Sequence, residues 1–207
     1  MAYFEKRNPS LAISAAIALG LTLSASHAHG ESIIRQPGNH PAYSVDLEPH
    51  LVLALDNSPY SSRGGFGLGG RLTIPFLRNG PIASINTDMG IGVGLDWVTQ
   101  GSCYRGTYWQ PYYSDCSMYA LYVPVVLQWN FYLTDIITVF GEPGLALRYA
   151  RVSVNGVNNG LSADGSYSAT DVVPVIAAGA KFMFGRTVGL NVRLGFPYLT
   201  AGISILL

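Results

Sequence analysis

The chain has 207 residues, with 12 basic and 12 acidic side chains and a net charge of zero. Zero net charge excludes a nucleic-acid binder driven by phosphate neutralisation, and an apolar share of 49% excludes a disordered chain. Charged residues make up only 12%, about half the share of a soluble domain, so a single domain in contact with a membrane is the first expectation.

The chain opens with an export pattern. Lys6 and Arg7 precede an uncharged Ala/Leu-rich run from Leu11 to Ala25, and Ser26-His27-Ala28 offers small residues where a signal peptidase reads. A membrane-spanning helix needs about 20 apolar residues, so residues 1–28 read as a cleaved signal rather than an anchor. The mature chain is expected to begin near His29. Residues 29–42 read as a lead-in to the folded part.

From Tyr43 onward the apolar residues recur at period two. The expected strands are Tyr43–Leu55, Phe66–Phe76, Ile85–Trp97, Leu121–Leu133, Val139–Tyr149, Pro174–Phe184, Val188–Phe196 and Leu199–Leu207. The fourth shows the pattern most fully. Leu121, Val123, Val125, Leu127, Trp129, Phe131 and Leu133 share one face, against Tyr122, Pro124, Val126, Gln128, Asn130 and Tyr132. Pro124, Gln128 and Asn130 argue against a lipid-facing helix over the same segment. The strand charges are Asp46, Glu48, Arg71, Asp88, Asp96, Glu142, Arg148, Lys181 and Arg193, and all oppose the apolar set. Random parity gives such agreement roughly once in five hundred. A charge in mid-bilayer on the lipid face costs about 2–4 kcal/mol, whereas one in a lumen can be paired or hydrated. An open sheet edge in lipid leaves backbone groups unbonded. The expected fold is therefore all-β, an eight-stranded antiparallel transmembrane barrel over residues 43–207. A soluble barrel would need polar outer positions.

The joins alternate in length. Those at Arg78–Pro81, Thr134–Thr138 and Gly185–Thr187 are short, and those at Asp56–Gly65, Val98–Ala120 and Ala150–Val173 are long; Pro197-Tyr198 is short again. Asn79-Gly80 is a two-residue hairpin signal. A turn there would set Arg71 across from Asp88, and would face Gly65, Gly67 and Gly69 with Gly94, Gly92 and Gly90. Such glycine rows make room for bulky partners across the lumen, or form a recess for a ligand. Cys103 and Cys116 are the only cysteines, and in an oxidising compartment they read as one disulfide, worth about 3 kcal/mol by loop entropy. Within that loop, Tyr104, Tyr108, Trp109, Tyr112 and Tyr113 offer contact area for a partner or glycan, or an aromatic belt at the headgroups.

In its signal, alternating strands, joins and final strand YLTAGISILL, the chain resembles the small eight-stranded outer-membrane barrels of Gram-negative bacteria, the OmpA membrane domain, OmpW and OmpX types. The resemblance covers Tyr43–Leu207. Members usually end in an aromatic residue, where this chain ends in Leu207. The likeness implies residence in the bacterial outer membrane, both termini periplasmic, and contact with outer-membrane lipid. Enzymes of this class look like lipid A deacylases or palmitoyl transferases with a Ser, a His and an acid. Here only His40 and His50 are available, with no marked Ser partner, no GxSxG and no metal-ligand cluster. The expectation is not an enzyme, with no cofactor, no metal, no nucleic acid and a monomeric state. Asp46, Glu48, Arg71, Asp88, Glu142, Arg148, Lys181 and Arg193 are expected to form a lumen charge network, closing the interior as a plug or lining a narrow passage. The expected role is structural or surface-interacting through outer loops, with a glycan, a protein or a small hydrophobic molecule as partner. A narrow channel or transporter for small or hydrophobic solutes is the alternative.

Overall fold

The computed structural model describes residues 32–54, 64–100, 115–158 and 161–207. The expected signal segment, the loop aromatics from Tyr104 to Tyr113 and Cys103 lie outside the described residues, as does the side chain of Cys116, so the expected disulfide does too.

Eight strands follow in chain order: β1 (Asp46–Ala54), β2 (Gly65–Leu77), β3 (Thr87–Gln100), β4 (Asp115–Tyr132), β5 (Ile137–Asn158), β6 (Leu161–Met183), β7 (Val188–Phe196) and β8 (Leu199–Leu206). Each pairs antiparallel with the next, and β1 pairs with β8, so the sheet closes into a barrel. Closure leaves no sheet edge in the wall where all eight strands meet.

The alternation read from the sequence holds along the strands, but Tyr43, expected at the head of the first strand on its outward side, precedes β1 and is buried, as is Thr87 at the head of β3. β1 alternates between buried and exposed from Asp46 to Ala54. Leu51, Leu68, Leu95, Leu145 and Ile176 point out and are about half exposed or more, while Asp46, Glu48, Arg71, Asp88, Glu142, Lys181 and Arg193 are buried inside. The outward apolar band is rimmed by aromatic residues. Phe66, Trp97 and Phe196 stand at one end and Phe76, Phe182 and Phe184 at the other. Phe66 and Phe76 are ten residues apart on β2, about 33 Å of strand and, at a barrel's tilt, about 25 Å of thickness. That matches the lipid-facing band of a membrane barrel.

Two expectations are corrected. Asn79-Gly80 does not form a two-residue hairpin. β2 and β3 are joined through residues 78–86, with Gly80 N donating to Thr87 O (2.8 Å) and a register shift between Pro75 and Leu77. Arg71 therefore lies across from Gly94 and not from Asp88, and Thr73 across from Gly92. Gly69 faces Asp96 and Gly67 faces Val98. The displacement is an even number of residues, so every side chain keeps its face while all its cross-strand partners change. Inside, large residues meet glycines, and the facing glycine rows do not exist. A Cβ at Gly67 would lie 1.9 Å from the Trp97 carbonyl oxygen, so this glycine is fixed by the close approach of the neighbouring backbone.

The second correction concerns length. The join expected from Ala150 to Val173 is mostly strand, since β5 and β6 stay paired out to Asn158 and Leu161. Its Ser, Thr, Asn and Gly residues read as a loop because no lipid face demands apolar alternation there. Backbone pairing continues where the hydrophobic signal stops.

Candidate functional site

The lumen is the site that the strands build. It is filled in layers, starting from the end where the lead-in and Leu207 lie. Side chains from opposite walls meet because eight strands enclose an interior about as wide as two long side chains.

The first layer centres on two acids. Asp88 accepts from the phenols of Tyr43 (2.9 Å) and Tyr132 (2.6 Å) and from Asn130 Nδ2 (2.6 Å). Tyr43 belongs to the lead-in, and burial, then the Asp88 carboxylate, push its phenol far above the usual tyrosine range. It stays a neutral donor. Asp46 meets Lys181 Nζ and accepts from Ser204 Oγ at 2.6 Å.

The second layer joins four strands. Glu142 on β5 takes Arg71 Nη1 from β2 at 2.6 Å and Arg193 from β7, its Nη2 at 3.0 Å. Arg193 Nη1 also donates to Glu48 on β1 (2.7 Å) and to Thr200 on β8 (2.8 Å). Asn191 Nδ2 donates to Glu48 as well. Arg193 and Lys181 lie 5.3 and 5.6 Å from the centre of the Phe140 ring, an arrangement that favours cations. Gln128 sits between the layers. The amide orientation that satisfies both its ends donates to Glu142 Oε1 (3.2 Å) and accepts from Lys181 Nζ (2.9 Å). Glu142 is fully buried and Arg71 and Arg193 are 2% exposed, so the ion pairs sit in a medium where an unpaired charge is costly.

The third layer is His50 on β1. Its Nε2 lies 2.8 Å from Asp96 Oδ1 and its Nδ1 3.1 Å from the Glu48 carbonyl oxygen. Tyr198 donates to the other oxygen of Asp96. Both ring nitrogens thus face protein oxygens, so the ring is held between β1 and β3. Above it the lumen turns apolar. Val52, Ala54, Val98, Ala120, Tyr122, Ala146 and Val175 pack together with Tyr198, and the Tyr122 and Tyr198 rings meet edge-on at 5.2 Å.

Of the eight charges expected in one network, Asp46, Glu48, Arg71, Glu142, Lys181 and Arg193 meet one another across the lumen. Asp88 is held by neutral donors instead. Arg148 stands at the margin of the apolar layer, across from Tyr122, in a bidentate pair with Asp171 (2.8 and 2.5 Å), with both side chains more than a third exposed. Asp171 was hidden from that pairing by the expectation of a loop. Sequence reasoning places Asp96 and His50 inside without naming their partners, and leaves out Tyr43, Tyr132 and Tyr198. Parity marks Tyr132 as inward, but parity names no partner, and Tyr43 shares the parity of the outward Val45 and Leu47.

The lead-in is part of the same structure. Ile33 N donates to Leu133 O (3.0 Å), Asn86 N to Ile34 O (2.7 Å) and Ser44 N to Leu207 O (2.6 Å). His40 stacks on Tyr132 at 4.6 Å between centres and its Nε2 lies 2.8 Å from Arg78 O. The segment thus follows the rim from the β4–β5 turn to β1. It leaves a vestibule of ≈ 960 Å³ beside Thr134, Lys181 and Arg186.

Against known proteins, the family model for the outer membrane protein beta-barrel domain matches residues 14–202. No curated protein sequence matches the chain. Among solved structures the chain is similar to Ail, the attachment invasion locus protein of Yersinia pestis, in complex with the heparin analogue sucrose octasulfate. That likeness has 11% identity over 80% of this chain and 98% of that one, with a TM-score of 0.46. It is also similar to Neisserial surface protein A, at 15% identity over 79% of this chain and 96% of that one, with a TM-score of 0.43.

Proposed function

The chain belongs to the outer membrane protein beta-barrel family, and from that premise we propose that it acts at the cell surface through its outer connections and not by conducting solutes. The observation that carries this reading is the filled lumen. Ion pairs bind β1, β2, β5, β6 and β7 together across the interior. An apolar layer lies over them, and the charge at its margin, Arg148 across from Tyr122, is held by Asp171. An ion crossing the aliphatic part of that layer would shed its water with little to replace it, which is how an apolar constriction blocks permeation. The vestibule near the lead-in stops at this filling.

In this reading both termini face the periplasm, as the short joins at residues 133–136 and 184–187 suit the inner side. The tall β5–β6 hairpin and the connections at residues 55–63 and 101–114 then stand outside. The loop aromatics Tyr104, Tyr108, Trp109, Tyr112 and Tyr113 offer the contact area for a glycan or protein. The barrel works as a monomer, without cofactor and without catalysis. A narrow channel is the rival reading, and its motive, two facing rows of glycine, is removed by the register of β2 and β3.

The test is electrical. The purified full-length barrel in a planar bilayer is expected to show no stepwise conductance above the lipid baseline. Discrete, reproducible steps with ion selectivity would replace this reading with the channel.

A further inference from the structure

The mouth of the barrel at the end of the termini holds an unbalanced charge. Among the described residues five carboxylates are buried in the lumen, those of Asp46, Glu48, Asp88, Asp96 and Glu142. Asp46 meets Lys181, Glu48 meets Arg193, Glu142 meets Arg71 and Arg193, and Asp96 has Arg71 at 3.9 Å. Asp88 is 1% exposed, and among the described residues its partners are neutral. Asn130 donates to Oδ1, and Tyr43 and Tyr132 donate to Oδ2. A carboxylate has about four acceptor positions, so Oδ1 keeps one open. Buried charges are ordinarily paired, and here the pair lacks its positive member.

The space for that member is beside the carboxylate. Asp88, Tyr43 and Pro75 line a cavity of ≈ 250 Å³ between the lead-in and the β2–β3 join. A liquid water takes up about 30 Å³, so the cavity admits more than a water or two. Arg78 belongs to the same lining, is exposed, and makes no ion pair among the described residues. It directly follows Phe76 and Leu77, exposed residues at the end of the outward apolar band. Arg78 therefore stands at the height of the lipid headgroups, where phosphates lie.

We propose that this cavity binds a phosphoethanolamine headgroup, with its ammonium on Asp88 and its phosphate on Arg78. An acid inside and a base at the rim of one cavity match a zwitterion. A bare anion would meet Asp88, and a polyamine would meet Arg78. A primary ammonium brings N–H donors that suit the open position of the carboxylate and the phenol oxygen of Tyr43 beside it. A choline group has the same charge and no N–H, so it is the weaker occupant. A guanidinium takes a phosphate through two parallel bonds. The same headgroup chemistry is carried by a membrane lipid or by a free phosphoethanolamine.

The experiment measures lipid retained by the purified full-length barrel, using native mass spectrometry from detergent doped with one lipid at a time. The probes are phosphatidylethanolamine, its N,N-dimethyl form, phosphatidylcholine and phosphatidylglycerol, all with the same acyl chains. The wild type is expected to bind phosphatidylethanolamine roughly tenfold more tightly than phosphatidylcholine, the worth of a hydrogen bond to a charged group, with the dimethyl form between. Asp88→Asn is expected to erase that preference. Arg78→Gln, on the exposed rim, is expected to keep the folded, heat-modifiable form and to weaken binding about threefold. Competition by free phosphoethanolamine would show that the headgroup alone suffices, and a preference that depends on Asp88 without such competition would assign the site to the lipid-borne group. Equal binding of phosphatidylethanolamine and phosphatidylcholine by the wild type, or a preference unchanged in both variants, would overturn the site. So would tightest binding of phosphatidylglycerol, lost in Arg78→Gln and kept in Asp88→Asn, which would leave an anion contact alone.

Discussion

Glu142→Ala is expected to lower the stability of the folded barrel by about 3–5 kcal/mol, the cost of stripping one partner from a buried ion pair. The reason is the sharing of this carboxylate. Glu142 faces both Arg71 and Arg193. Without it Arg193 keeps Glu48, but Arg71 is left with Asp96 at 3.9 Å. A guanidinium buried beside so weak a contact must draw in water or open the lumen. Urea unfolding in phospholipid vesicles, followed by tryptophan fluorescence, gives the free energy. The paired variant Glu142→Leu with Arg71→Met is expected to recover most of the loss, because exchanging a buried pair for apolar residues of similar volume is near neutral or stabilising. A loss below about 1 kcal/mol for Glu142→Ala would mean that the lumen is hydrated and that its charges are screened.

The outer face makes the second demand. Leu72 lies close to midway between Phe66 and Phe76 on β2 and points out. Leu72→Arg is expected to cost about 2–4 kcal/mol in the same assay, while Phe66→Arg at the edge of the band is expected to cost about 0–1 kcal/mol. The gradient matters more than either value. Water outside the barrel would make both substitutions nearly neutral, because an arginine on a wet surface loses little solvation. Equal costs at the two positions would point to local packing instead of a bilayer.

These two tests address the parts of the molecule that the sequence displays most and least clearly. The strands are legible because lipid on one side and a packed lumen on the other impose opposite chemistry on alternate residues. Leu121 to Leu133 shows that contrast at nearly every step, and the structure keeps each residue on its expected face. Register is not legible in the same way. Any even shift of β2 against β3 preserves all the faces, so the choice falls to the turn, and Asn79-Gly80 is overruled by bonds that the lead-in makes to that turn. Asn86 Nδ2 donates to Asn39 O at 2.7 Å, a contact over a distance in sequence that no local motif announces. Cross-lumen partners are illegible for a further reason. Arg71 and Glu142 meet because closure brings β2 opposite β5, and their identities state only that each is charged and inward. The same holds for His50 and Asp96, whose contact needs the real register and the β1–β2 pairing together. The partner of Arg148 is illegible because Asp171 stands on a stretch of β6 where strand formation leaves no hydrophobic trace.

The central claim is a dry, ion-paired interior enclosed by a wall whose outer face meets hydrocarbon. A spin-label scan along β2 from Phe66 to Phe76, with the chain reconstituted in liposomes, tests both halves at once. Labels at Phe66, Leu68, Leu72, Ile74 and Phe76 are expected to collide with dissolved oxygen, most strongly at Leu72, whereas labels at Arg71 and Thr73 are expected to be shielded from oxygen and from a water-soluble nickel chelate alike. Free access of the chelate to Arg71 and Thr73, or loss of the period-two alternation in oxygen collision, would contradict the account.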